Sequence, residues 1–503
     1  MRKIRLSEIY TLEDLQHCWA EDWDNIFVSE DFDPFNIRNS NFYGYVEIGS
    51  QVRISDAKMI KGSGKPFEPN IISVLNEGGD GNVILCPQLT AQLAYMMMNS
   101  QVVFDFVANE LQKSNAIAMT VIGEGTTIEG ATKIVDCSIC SSCDSQTYIG
   151  PDVIMEKSVV AQGAEVTDGA KVYESFVGEA VHVGKGFSSE ASCFFANAYM
   201  DNGEACAALC GPFACSHHKS TLLIGGEFSF YNAGSNTNQS NHAYKMGPIH
   251  WGTLQRGAKT ASGCHILWPA TIGVFSMVMG KLTQHPNLEK LPFSYVLADP
   301  QKTYVVPGVN IKTVGTWRDV NKWPKRDKRN AESRRDIITF DFPNPYIMQY
   351  VVEGKRLLQQ LQLEQGDVEE YVYEKCFIKK AALEKGLKYY DLIIALADGY
   401  EVGEHQFVDM LGMIARKEDM QEIRDKVADG SIKTIEELVN LFSKYEVKTP
   451  ILNKDSEAYG HWLEMIEKDA RKEFRMGDVS EEQLHDFIEN MGWKTSTQLL
   501  HQN

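Results

Sequence analysis

Six of the twelve histidines fall within one stretch of 69 residues, at His217, His218, His242, His250, His265 and His285. The same stretch carries Asn232, Asn236, Asn238, Asn241, Lys219, Lys245, Trp251, Arg256, Lys259 and Trp268. Imidazole is the side chain whose ordinary pKa lets it take up and return a proton near neutral pH. His242 is therefore the first candidate for a general base, followed by His250 and His218. It leads because Ser240-Asn241-His242-Ala243-Tyr244-Lys245 has no repeating pattern and reads as a loop. Asn232, Asn236, Asn238, Asn241, Lys245, Trp251, Arg256 and Lys259 are the matching candidates for substrate contact. The alternative is structural, with the imidazoles capping turns or bonding to rows of Asn.

A second cluster has a different chemistry. Lys312 to Arg335 holds nine Lys or Arg against three Asp or Glu, in a chain whose net charge is −19. A basic segment in an acidic protein suits a phosphate-bearing ligand, with Arg318, Lys325 and Arg326 as candidate contacts. A solvated loop is the competing reading. Cys137-x-x-Cys140-x-x-Cys143 has ligand-like spacing but no second pair at finger-like distance. Cys193, Cys206, Cys210 and Cys215 read as small core residues, so no metal is expected.

The elements that must position these side chains repeat every six residues. Ile122, Ile128 and Ile134 form one run, and Ile154, Val160, Val166 and Val172 another. Val177-Gly178 and Val183-Gly184 continue it after a one-residue slip. Ile48-Gly49 with Ile54, Ile149-Gly150, Ile224-Gly225 with Phe230, and Ile272-Gly273 with Val278 are further copies. Six residues turn an α-helix through about 600°, so no helix face can hold this pattern. A coil of three short strands can, with one aliphatic per strand pointing inward and Gly or small residues at the corners. Coils of about 18 residues are predicted.

These [Ile/Val]-Gly-x4 repeats resemble the hexapeptide-repeat superfamily, over roughly residues 42–310 with interruptions. That resemblance implies a left-handed parallel β-helix and a mainly β chain. Ser216-His217-His218-Lys219, Asn232-Ala-Gly-Ser-Asn-Thr-Asn238, Ser240 to Lys245 and Leu267-Trp-Pro-Ala270 also resemble a bacterial β-helix family of unknown function. Hexapeptide-repeat acyltransferases place a histidine between coils or subunits to deprotonate an acceptor hydroxyl or amine. The resemblance thus implies acyl transfer to a sugar or sugar nucleotide, with coenzyme A or a carrier thioester as donor and no firmly bound cofactor. It also implies a homo-oligomer, trimer or dimer. The rival reading is a non-catalytic sugar-nucleotide-binding or scaffold protein. A deep groove lined by His242, Lys245 and Arg256 would favour chemistry over that rival.

Two other members of the superfamily are poorer matches. His242-x7-His250 with His217 or His218 is similar to a β-helix carbonic anhydrase site, but the closing pair of histidines five apart is missing. Nothing in residues 1–60 resembles the α/β domain of the β-helix uridylyltransferase, and Gly62-Ser-Gly-Lys-Pro66 is no phosphate loop.

Around the repeats, residues 1–41 read as an end cap with a helix near Leu12 to Trp19, since an open coil exposes strand edges. Leu89 to Ser114 lacks the hexad and reads as an inserted helix, with Met and Phe on its buried face. Residues 311–343 are the basic connection, and 344–503 a helical domain; from Asp341 onward the net charge is about −12. Its expected helices cover Tyr346 to Leu361, Ala381 to Ala397, Gln406 to Ile414, Leu438 to Phe442 after a Thr434-x-x-Glu437 capping box, Ser456 to Phe474, and Leu484 to Met491. The acidity argues against general nucleic-acid or anionic-membrane binding. Met1-Arg-Lys-Ile-Arg-Leu6 runs straight into charged sequence, so the expectation is a cytoplasmic protein with reduced thiols.

Overall fold

The computed structural model describes residues 3–10, 15, 17–113, 117–240, 250–397, 400, 405–448 and 452–473. The chain is mainly β and winds as a parallel β-helix, with helices gathered in its C-terminal third. Strands of two or three residues stack coil on coil in parallel register. On one face Ile139, Val160, Val177 and Phe194 follow one another; on a second, Ile134, Met155, Val172 and Ser189; on the third, Ile149, Val166, Val183 and Met200. All of these side chains are buried, and with their neighbours they make one continuous core. Two longer strands, Glu204–Cys210 and Leu222–Phe228, run round a corner and join the first two faces.

The expected 18-residue coil is found from Leu254 to Ile272 and from Val278 to Val296, whereas the middle coils are shorter. Val160 to Val177 and Val177 to Phe194 are each 17 residues, two steps of six and one of five. The slip at Val177 thus recurs once per turn in these middle coils. It also corrects the register near residue 154: Ile154 is half-exposed and Met155 points inward. Likewise Ile224 faces outward and Leu223 fills the core.

The corners depart from expectation too. Asp168, Glu174, Ala180, Lys185, Ala191 and Asn197 all have left-handed φ between 45° and 59°. Each such residue costs about 1–2 kcal/mol. Coil-to-coil hydrogen bonds there offset the cost, as from Ala180 N to Gln162 O at 3.2 Å and Asn197 N to Glu179 O at 3.0 Å. A side chain at these corners projects outward, so charged residues are tolerated.

The insertion begins with a hairpin, Asn70–Asn76 against Asp80–Leu85. Two helices follow, Ala91–Asn99 and Gln101–Gln112, capped by Thr90 and Ser100. Met96 and Met97 are buried there, and Phe104 and Phe106 pack at the rim. Further on, the helices Pro345–Gln365, Lys380–Leu396, Lys417–Ala428, Ile435–Phe442 and Glu457–Glu473 form. Thr434 Oγ1 caps the fourth of these, while the Glu437 carboxylate accepts from Lys433 N rather than closing a box on Thr434. Gln406 to Ile414 is not a helix. It contains a hairpin, Phe407–Met410 against Met413–Arg416, because Leu411 and Gly412 both take positive φ and reverse the chain. A second hairpin joins Glu370–Tyr373 to Cys376–Lys379. The expected helix at Leu12 to Trp19 is not seen where the stretch is described, since His17 takes φ 55° and Trp19–Ala20 is a strand, while Leu484 to Met491 lies outside the described residues.

The C-terminal region clasps the solenoid. A second core unites the insertion with Met410, Leu411, Met413, Met420, Ile423, Leu438 and Phe442. Among the described residues no helix is long and apolar enough to cross a membrane.

Candidate functional site

One outward column of the third face carries polar side chains in five successive coils. Glu165, His182, Tyr199, Cys215 and Asn232 stand in register, and Lys259 follows. Alternation along each short strand sends Val166, Val183, Met200 and Ser216 inward and these neighbours out. Two residues on from Tyr199 and Cys215, Asp201 and His217 project from the same face.

The helix Val314–Lys325 lies over this column. Thr313 caps it, accepting from Thr316 N at 3.3 Å, and Trp323 anchors it against Phe230 at 4.6 Å and Phe275 at 5.7 Å. Its buried Asp319 takes Lys259 from the solenoid wall, Lys322 at 2.8 Å and Arg318 at 3.3 Å. Burial opposes ionisation of Asp319, but Lys259, Lys322 and Arg318 outweigh it and hold the carboxyl far below the usual range. The chain beyond is tied down as well. Asn197 bonds both the Asp327 carboxylate and Lys328 N at 2.9 Å, and Glu179 accepts from Arg335 N and Asp336 N. Asp336 in turn accepts from Ala91 N and Ala196 N. The basic segment is therefore a packed helix and strap, not a solvated loop.

Between helix and column is a cavity of about 640 Å³, open to solvent. Lys185, Lys322, Lys325, Arg326 and Lys328 line it against Asp201, Asp319 and Asp327, five cations to three anions. On its floor His182 stacks on Tyr199 at 4.4 Å. The two nitrogens of His182 face Glu165 Oε2 and Asp201 Oδ1, each at 3.1 Å, so neither is left for a substrate proton. Gly184 makes this possible, since a Cβ there would meet His182 Nε2 at 2.7 Å and Asp201 Oδ1 at 3.0 Å. Asp201 also holds Lys185 at 2.7 Å. His217 is different: its Nδ1 lies 2.9 Å from Cys215 Sγ. Burial, then the neighbouring His218, pushes the His217 imidazole toward its neutral form, while burial pushes the Cys215 thiol up to about 11.

The residues singled out in the sequence are dispersed. Asn232, Lys325 and Arg326 line the cavity. His218 is exposed beside it, its ring 4.1 Å from His217, and Lys259 and Arg318 reach it through Asp319. Arg256 is buried elsewhere, bonded to Asp409, Thr339 O and Gly412 O. Asn238 stands on another face, in register with Leu222 and His265, and Asn236 is an exposed corner. Trp251 packs at the edge of the second core, and His250 is half-exposed. Asn241, His242 and Lys245 lie outside the described residues. Lys185, His182, Tyr199 and Asp201 were not anticipated, His217, Lys322 and Lys328 belong to the clusters noted in the sequence without having been picked as contacts, and Cys215 is cavity wall rather than core. Cys193 and Cys210 are buried core, while Cys206 is half-exposed and bonded to Glu77. Among the described residues no three His, Cys, Asp or Glu side chains converge as a metal would require.

Fold and cleft together define a parallel β-helix protein with a basic cavity under a docked helix. Residues 105–362 match the family described as a domain of unknown function, DUF4954, over just more than half of the chain, and the chain belongs to that family. No curated protein matches. Among solved structures, one similar protein is named "putative acetyltransferase" and comes from Desulfovibrio desulfuricans G20. It is 7% identical, with 57% of this chain and 72% of that chain covered, and its TM-score of 0.16 supports no conclusion about the reaction.

Proposed function

We propose that this chain is a transferase that binds a phosphate-bearing substrate in the cavity and moves an acyl group to a sugar or sugar nucleotide from coenzyme A or a carrier thioester. The observation that carries the reading is the cavity itself, where five Lys or Arg side chains from two walls surround a floor with an imidazole. Cations held in place by paired carboxylates suit a phosphate or diphosphate better than a mobile surface would. Neutral His217 is the group that takes the acceptor proton, with His218 beside it. The choice of an acyl group follows from the hexapeptide-type repeats. Proton transfer is thus assigned here to His217 in place of His242 and His250. The chain acts as a homo-oligomer in this reading.

The test is calorimetric titration with coenzyme A and with nucleoside diphosphate sugars, followed by thiol release from acetyl-coenzyme A in their presence. Binding that weakens steeply with salt, and thiol release that needs the sugar nucleotide, are expected. Absence of binding by every phosphate-bearing ligand would sink the reading.

A further inference from the structure

We infer that Cys215 is a nucleophile that carries the acyl group as a thioester during the reaction, with His217 as its proton acceptor and donor. The inference rests on the cavity being the reactive centre, as proposed above.

Cys215 and His217 are alternate outward residues of one coil, so the backbone fixes both on the same wall. Sγ and Nδ1 are 2.9 Å apart, within reach for proton transfer. Among the described residues Cys215 is the thiol that joins an imidazole and lines this cavity; Cys193, Cys210 and Cys264 are sealed in the core. The strand holds Cys215 from below by pairing with Tyr199 and from above by the bridge to Asn232. Lys322 and Arg326 across the cavity favour the thiolate as it forms, and burial keeps the resting pair a neutral thiol and a neutral imidazole. The nucleophile is then generated only as the imidazole takes its proton.

In the first step Sγ attacks the carbonyl carbon of the donor thioester while the thiol proton passes to His217 Nδ1. The bond from that carbon to the donor sulfur breaks, and the departing sulfur takes the proton. This leaves an acyl thioester on Cys215 and a free donor thiol. In the second step the acceptor hydroxyl gives its proton to His217 and its oxygen attacks the carbonyl. The bond to Sγ breaks, and Sγ regains the proton. No electron is gained or lost overall.

The experiment incubates the full chain, without acceptor, with acetyl-coenzyme A and separately with p-nitrophenyl acetate. Intact mass and peptide mapping then locate any acetyl group. One acetyl per chain on Cys215 is expected, removable by hydroxylamine and absent in Cys215→Ala. His217→Asn should slow its formation about 100-fold or more. Iodoacetamide gives a second readout that does not depend on the donor, because Cys215 alkylation should lose its His217-dependent pH profile in His217→Asn. Circular dichroism must show both variants folded; if Cys215→Ala is not, Cys215→Ser replaces it and should keep an acetyl ester. Acetylation from p-nitrophenyl acetate alone would keep the nucleophile and reject the thioester donor. Acetyl transfer to an acceptor with no adduct on Cys215 would keep the transferase and overturn this inference. So would the absence of any Cys215 adduct with both probes.

Discussion

Arg256 on the solenoid donates from Nε to the Asp409 carboxylate, 3.1 Å away in the C-terminal hairpin. The same guanidinium reaches Thr339 O at 2.9 Å and Gly412 O at 2.8 Å, and its plane covers the Phe230 ring at 4.2 Å. Phe230 also packs on Trp323 of the cavity helix. One buried fork therefore fixes the C-terminal hairpin, the 339 segment and, through an aromatic stack, the cavity wall.

Removing that fork leaves the buried Asp409 carboxylate without its cation and takes the guanidinium donors from Thr339 O and Gly412 O. Arg256→Ala should cost about 3–5 kcal/mol, and Arg256→Lys should recover only part, since an ammonium cannot reproduce the planar contacts. Denaturant midpoints measure both. A loss under about 1 kcal/mol would mean that the hairpin is held by its apolar contacts alone.

His217→Ala should lower turnover by roughly two to four orders of magnitude, the usual contribution of a general base, with little change in melting temperature. Because burial and His218 lower its pKa, the acid limb of kcat should lie below the ordinary histidine value of 6.5. An unchanged rate would move the base elsewhere, to His218 or to the histidines outside the cavity.

Arg326 is exposed at the cavity mouth and Lys325 precedes it in the last helical turn. Arg326→Glu should raise Kd for a phosphate-bearing ligand roughly tenfold in low salt, with the difference shrinking near 0.5 M salt as screening sets in. A salt-independent loss would point to damaged folding instead of lost attraction.

The solenoid was legible because its signal is local. Ile122, Ile128, Ile134, Val160, Val166 and Val172 sit at short steps and all turn inward. Ile154 misled because it lies a full hexad before Val160, whereas the inward step there is five residues, from Met155. Met155→Ala should therefore cost about 2–5 kcal/mol, against under about 1 kcal/mol for Ile154→Ala. The cavity was hidden for the opposite reason. Counting polar residues in a linear window mixes three faces of the coil, so Asn238 and Arg256 joined Asn232 in one cluster though they point apart. Cys215 and His217 belong with Asp201 one coil earlier, Lys185 two coils earlier and Lys322 on a distant helix. Written in rows of 17, the sequence would have aligned Glu165, His182 and Tyr199 in one column.

Glu227 gives the last prediction, and its sign follows from what surrounds it. Burial raises its carboxyl to about 7, and the negative charge of Asp409 adds to the effect. Asp409 is already matched by Arg256, so Glu227 faces a carboxylate whose cation is committed. Below about pH 4.5 the group is protonated in the folded and unfolded chain alike and contributes nothing. Between that pH and about 7 the unfolded chain ionises while the folded chain keeps its proton, so the folded state binds more protons and stability falls as pH rises. Above about 7 the loss is complete and constant, at about 3 kcal/mol or less. Glu227→Gln removes the titration. It should match the parent at pH 4, exceed it at pH 8, and flatten the stability profile between. Equal stability of the two chains at pH 8 would show that Glu227 ionises without cost.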